Sequence, residues 1–334
     1  MKIRIMGLIL VLVVVILVSG CVQQTKEKEI KIDEVKFGQA MSPTGALSII
    51  AEENGYFEDA GLNTEIKEYK SGKRAFVEGF NSGKVDVITT QGVPVVFNSL
   101  NGQDFKIIAL INSALSDKII VGRKDSGISE PSDLKGKKVA TQKGSAVHFF
   151  LHLFLLHNEM SEEDIELSYI KAEDLPKALA KGTIDAFSMR EPFVTQAKDL
   201  LGEENVVLFP DPGIYNAVDV VVVRNELLRE NPEIPKKIIR ALIKAEEFVK
   251  ENPEKAKNII VQRIGSDREE IDKFWPGFNL EVVLEQSLFT ILEDEARWVI
   301  KSGLTEATEV PNYLDYIYFD ALEEVKPEAV RIIH

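Results

Sequence analysis

The chain has 334 residues, a formal charge of −14 and a single cysteine, Cys21. So acidic a balance is a poor match for nucleic acid or for anionic lipid head groups, though a pocket on an acidic body can still be locally positive. A lone cysteine excludes an intrachain disulfide framework and a thiolate metal cluster.

Residues 1–21 read MKIRIMGLILVLVVVILVSGC. Lys2 and Arg4 precede an apolar run from Ile5 to Val18, and the small residues Ser19 and Gly20 lead to Cys21. A charged start, a greasy stretch and a small-residue cleavage site predict an export signal over residues 1–20. The end of that stretch, Val18-Ser19-Gly20-Cys21, resembles a lipoprotein processing box, which implies cleavage before Cys21 and lipidation of its sulfur. The alternative is a retained anchor, but the apolar run is shorter than the ~20 residues of a spanning helix. Either way the body is expected on the extracytoplasmic face of the cell membrane. Loss of residues 1–20 takes away Lys2 and Arg4 and no acid, so the charge moves from −14 to −16. Residues 21–33 are polar and charged and read as a flexible tether.

From Val35 onward, short apolar strands alternate with helix-length amphipathic segments, which predicts an α/β protein with mostly parallel sheets. Two stretches follow one plan. Val35-Lys36-Phe37 turns through residues 41–45 into a helix over 46–54, and Lys138-Val139-Ala140 turns through residues 142–145 into a helix over 146–158. A second unit also occurs twice, as Gly83-Lys84-Val85-Asp86 and Gly182-Thr183-Ile184-Asp185. In each, glycine ends a helix in the left-handed conformation and Asp precedes a strand. Both strands then reach polar loops closed by proline, at Gln91-Gly92-Val93-Pro94 and Arg190-Glu191-Pro192. Proline fits the first turn of the following helix. The duplication predicts two similar α/β lobes with a ligand cleft between them, since open α/β sheets bind ligands beyond the carboxyl ends of their strands.

Residues 107–122 hold two apolar runs around a polar link, and the run over 218–224 (VDVVVVR) suits a buried strand. These are the expected crossings between lobe one, residues 34–122 and 224–334, and lobe two, residues 123–223. Two crossings make a hinge. Helices are expected over 232–250, 253–264, 268–274 and 280–302.

These features resemble a type 2 periplasmic solute-binding protein of an ABC importer, within the group that binds nitrate, taurine, alkanesulfonates and thiamine pyrimidine precursors. The likeness rests on the processing box, Gly45-Ala46-Leu47, Asn54-Gly55-Tyr56-Phe57, Ser132 to Ala140 (SDLKGKKVA), Gly144-Ser145, Ile184-Asp185-Ala186 and Glu191-Pro192-Phe193. It implies two Rossmann-like lobes joined by a two-strand hinge. Its implied partners are a small-molecule solute, a permease and that permease's ATPase, with a monomeric receptor, no cofactor and no catalysis. The position before Glu191-Pro192-Phe193 is commonly aromatic in this group and here is Arg190.

Candidate ligand residues follow from the loops. Helix N-termini attract oxyanions through free N–H groups and the helix dipole. Gly144, Ser145 and Ala146 offer one such terminus, and Ser42, Thr44 and Gly45 another. Ser42, Thr44 and Ser145 serve equally as ordinary N-caps. Arg190 could clamp a carboxylate, sulfonate or phosphate, or pair with a surface acid. Glu191 could receive an ammonium group, or cap its own helix. Gln91 and Gly92 close the matching loop, and Asn112 and Asp219 mark the hinge. His148 and His152 share a helix face, but Phe149 stands where a zinc-protease glutamate would be, and no metal is expected. The expected function is capture of a small anion, sulfonate- or nitrate-like, by hinge closure. The alternatives are a binder of a pyrimidine heterocycle, or an enzyme of the pyrimidine-synthesis group that shares the fold.

Overall fold

The computed structural model describes residues 32–115 and 117–333, and the expected signal, Cys21 and nearly all of the tether lie outside them. The described part holds two main sheets. The strands are β1 (Asp33–Ala40), β2 (Leu62–Tyr69), β3 (Val87–Gln91), β4 (Lys106–Ala114), β5 (Ile119–Arg123), β6 (Lys138–Thr141), β7 (Glu166–Tyr169), β8 (Ala186–Met189), β9 (Val206–Pro210), β10 (Ala217–Val223) and β11 (Phe278–Asn279). One sheet runs β11-β4-β10-β3-β1-β2 and the other β7-β6-β8-β5-β9.

The two sheets share a plan. In each, three strands are parallel, β2-β1-β3 and β7-β6-β8, and the next strand is antiparallel, β10 in one and β5 in the other. The duplicated motif accounts for the match. Gly83 and Gly182 take left-handed φ of 73° and 70°. The amide of Asp86 then donates to Lys36 O, and that of Asp185 to Lys138 O, both at 2.8 Å.

The antiparallel strands are exchanged between halves. The chain leaves the first sheet after Ala114, enters the second at Ile119, and returns between Pro210 and Ala217. The sheets place these crossings earlier in the sequence than the expected boundaries at 122/123 and 223/224, ahead of β5 and of β10. A strand buried on both faces is a continuous apolar run whichever sheet it joins, so its sequence does not say where the crossing ends.

The helices after β10 cover the first sheet. Helix Glu233–Glu251 packs on helix Ala46–Glu53, and helix Ser287–Lys301 on helix Gly92–Leu100. The last helix starts at Ser287 rather than at residue 280. Before it, β-branched Val283 exchanges backbone hydrogen bonds with Leu110 at 2.8 and 3.0 Å, and Leu284–Glu285 pairs with Val330–Arg331. That pairing holds residues 283–285 extended. Among the described residues no helix is long and apolar enough to cross a membrane.

Candidate functional site

Strand β10 reads AVDVVVV and is buried throughout. Its one charged residue, Asp219, sits opposite Gln91 of β3 on one side and Asn112 of β4 on the other. Gln91, Asp219 and Asn112 thus form a polar row across three adjacent strands, at the carboxyl end of β3. Asn112 is fully buried, and neither its Oδ1 nor its Nδ2 has a partner among the described residues. Asp219 Oδ2 and Gln91 Nε2 are likewise buried and unpartnered. Buried polar groups are normally satisfied, so this row of unpartnered atoms is unusual.

Ser42 and Thr44, in the turn after β1, support the row. Thr44 Oγ1 donates to Asp219 Oδ1 at 2.9 Å, and Ser42 Oγ lies 3.0 Å from Thr44 Oγ1. Neither hydroxyl caps its helix. Gly45 lies at the turn into helix Ala46–Glu53, where an added Cβ would come within 3.2 Å of Ala40 O.

Arg190, at the end of β8, is the charged group of the opposite half nearest in consequence to this row. It is 3 % exposed, its Nε has no acceptor, and it makes no ion pair among the described residues. Burial pushes the Asp219 carboxyl up to about 6, and the Arg190 charge pulls against that rise. A guanidinium is permanently charged and forks onto oxyanions, and this one is salt-bridged to no carboxylate among the described residues.

The crossings add a cluster that the loop argument did not find. Asp117 and Lys118 are a buried ion pair, and Lys118 Nζ lies 4.9 Å from the centre of the Tyr215 ring. Asp211 Oδ1 accepts from the Gly213 and Ile214 amides at 2.8 and 2.9 Å. Tyr215 donates its hydroxyl to Glu295 Oε1 at 2.5 Å, and burial pushes the Glu295 carboxyl up to about 8. Glu295 also fills the space beside Gly92, where an added Cβ would lie 2.5 Å from Glu295 Oε2. The terminus of helix Gly92–Leu100 therefore faces a protein carboxyl.

The loop over 142–146 does not behave as an N-cap. Ser145 Oγ donates at 2.6 Å to Gln142 O, which leaves the first N–H groups of helix Ala146–His157 without a side-chain cap. Ala146, the first residue of that helix, is fully buried. Gly144 has φ 64°, and a Cβ there would come 3.2 Å from the ring of Phe97 in the other half. Gln142 Nε2 donates to Ser71 Oγ at 3.0 Å, Arg74 pairs with Glu173, and Lys198 with Glu270 at 3.2 Å. The two halves meet across the cleft.

Glu191 belongs to that seam. Its Oε2 accepts from the Thr195 amide at 3.2 Å in the first turn of helix Phe193–Leu201. Burial pushes its carboxyl up to about 7, and Glu270 adds to the rise. This is the capping geometry. His148 is held neutral, pushed down to about 4 by burial, and its Nδ1 accepts from Gly144 N at 3.3 Å. Glu162 Oε1 lies 3.7 Å from His148 and 3.5 Å from His152.

The family described as NMT1/THI5 like matches residues 43–256. The chain is 30 % identical over 252 residues to the "Putative aliphatic sulfonates-binding protein" of Bacillus subtilis (strain 168), covering 72 % of each. It is 24 % identical over 219 residues to the taurine-binding periplasmic protein of Escherichia coli (strain K12), covering 62 % of this chain and 66 % of that one. In fold it is similar to the alkanesulfonate-binding protein SsuA of Xanthomonas axonopodis pv. citri, with TM-score 0.75 and 17 % identity over 86 % of this chain and 99 % of that one. The desulfurization enzyme DSZB has the same fold, with TM-score 0.62 and 16 % identity over 89 % and 99 % of the two chains.

Proposed function

The chain belongs to the NMT1/THI5-like family, and on that premise we propose that it is the extracytoplasmic solute-binding component of an ABC importer, which closes on a small anionic solute and delivers it to a permease. The observation that carries the anion is Arg190, buried at the seam and in ion-pair contact with no carboxylate among the described residues. In this reading the solute's oxyanion takes the guanidinium, and its polar edge takes the orphaned atoms of Gln91, Asn112 and Asp219. Closure brings residues 142–146 onto the solute from the second sheet. The relatives' names suggest a sulfonate such as taurine or an alkanesulfonate.

A thermal-shift screen with taurine, alkanesulfonates, nitrate and hydrogencarbonate tests this. A ligand at one hundred times its Kd adds about 2.7 kcal/mol of stability, or roughly 4 °C for a chain of this size. No shift with any of these anions would overturn the anion reading.

A second reading has its own support. Asn112 offers an unpartnered donor and acceptor beside the Asp219 carboxyl, an edge that also suits an aminopyrimidine. A shift with a hydroxymethylpyrimidine and none with the anions would favour it. Catalysis by a cysteine has no support, because the chain's one cysteine is Cys21.

The receptor is tethered by lipid on Cys21. Substituting Cys21→Ser moves the protein from the membrane pellet to the soluble fraction. An unchanged pellet fraction would reject the lipid anchor.

A further inference from the structure

A cavity of about 600 Å³ lies beside the hinge, between helix Ala146–His157 and helix Ser287–Lys301. Its walls include Phe149 and His152 from the first helix, Ile291, Trp298 and Lys301 from the second, and Tyr215 from the return crossing. None of Gln91, Asn112, Arg190 and Asp219 lines it. We propose that this chamber is a second small-molecule site, which takes a flat aromatic or alicyclic molecule carrying one anionic group.

Volume and lining fit such an occupant, since ligand pockets of ~300–1,000 Å³ are mostly apolar with a few placed polar groups. The rings form one connected wall. Phe149 lies 4.9 Å from Trp298 and 5.1 Å from Tyr215, and His152 lies 6.0 Å from Trp298, centroid to centroid. Trp298 is 5 % exposed, yet its indole Nε1 is buried with no acceptor among the described residues. An indole N–H can only donate, and leaving it unpaired is unfavourable. The indole also forms part of the chamber wall, where a flat occupant can stack on it.

The charge at the rim selects the sign. Arg297 is held by Glu293 and Asp294, each at 2.7 Å, so those three charges are engaged with one another. The exposed Lys301 makes no ion pair among the described residues and is the cation left for an anionic group. The occupant would touch the helix after β6, the helix over the first sheet and the return crossing, and so both halves at once. Tyr215 forms the wall shared with the polar cluster through its bond to Glu295.

Titration of 8-anilinonaphthalene-1-sulfonate onto the full chain carrying Cys21→Ser tests the proposal. We expect one dye per chain, enhanced dye fluorescence and quenched tryptophan emission. Ile291→Trp, which fills the chamber, is expected to weaken binding at least tenfold, and Lys301→Glu, at an exposed position that does not endanger folding, about tenfold. Arg190→Gln is expected to leave dye affinity unchanged, which separates this site from the solute cleft. Equal affinity in both chamber variants, loss of dye binding in Arg190→Gln, or binding of choline in place of the dye would each overturn it.

Discussion

Arg190→Gln is expected to weaken solute binding by between about thirtyfold and several thousandfold while leaving the protein folded. The estimate comes from the penalty of about 2–5 kcal/mol for truncating one member of a desolvated charge pair, here the guanidinium and the solute anion. Folding should tolerate the change because Arg190 makes no ion pair among the described residues. Its removal trades a buried charge for a shorter, neutral amide. The one internal effect is on Asp219, whose carboxyl loses the opposing charge and titrates higher than about 6. Calorimetry on both forms, with melting curves as the folding control, reads the result. Equal affinity in wild type and variant would remove Arg190 from the site.

The second large effect is a pH dependence of stability, most of which Glu295→Gln removes. Glu295 is fully buried, and its carboxyl is pushed up to about 8 from an ordinary value near 4.5. Between those values the folded chain binds a proton that the unfolded chain has released. Its contribution is therefore complete at low pH and is lost as pH rises toward about 8. His148 acts oppositely, since its value is pushed down to about 4 from 6.5, and it withdraws stability as pH falls through that range. The two effects offset below pH 6.5. Above it His148 becomes neutral in both states and the carboxyls dominate, with Glu191 titrating near 7. From pH 6.5 to 8 the wild type should lose about 2 kcal/mol. Glutamine keeps the acceptor for Tyr215 and has no proton to lose, so the variant should lose only the smaller part that Glu191 supplies, about 0.5–1 kcal/mol over the same range. Urea unfolding at pH 6.5, 7.2 and 8 measures it. Parallel curves for the two proteins would show that Glu295 is not the group responsible.

What the sequence makes legible is what local chemistry decides. Gly83 and Gly182 are readable because a left-handed residue before a strand calls for glycine, and the twin aspartates follow at the same spacing. The polar loops at the strand ends are readable because α/β sheets bind there. Asp219 stands out as a lone acid inside an apolar strand. Glu295 does not. It sits in Glu293-Asp294-Glu295, where its neighbours pair with Arg297 on the surface and only the third acid turns inward. Which member of an acidic run is buried depends on the helix's rotation against helix Gly92–Leu100, a tertiary fact. Asp117 and Lys118 are hidden similarly, because two adjacent opposite charges between apolar runs read as a surface link until both ends of the crossing are fixed. Glu191 shows the reverse. Its loop position suggests a ligand contact, while its carboxyl bonds to the amide of Thr195 in its own helix.

The most direct measurement is the crystallographic position of a bound sulfonate. The receptor account predicts its oxyanion within hydrogen-bonding distance of the Arg190 guanidinium, with its remaining polar atoms on Gln91, Asn112 or Asp219 and residues 142–146 closed over it. A sulfonate seated wholly away from those side chains would contradict it.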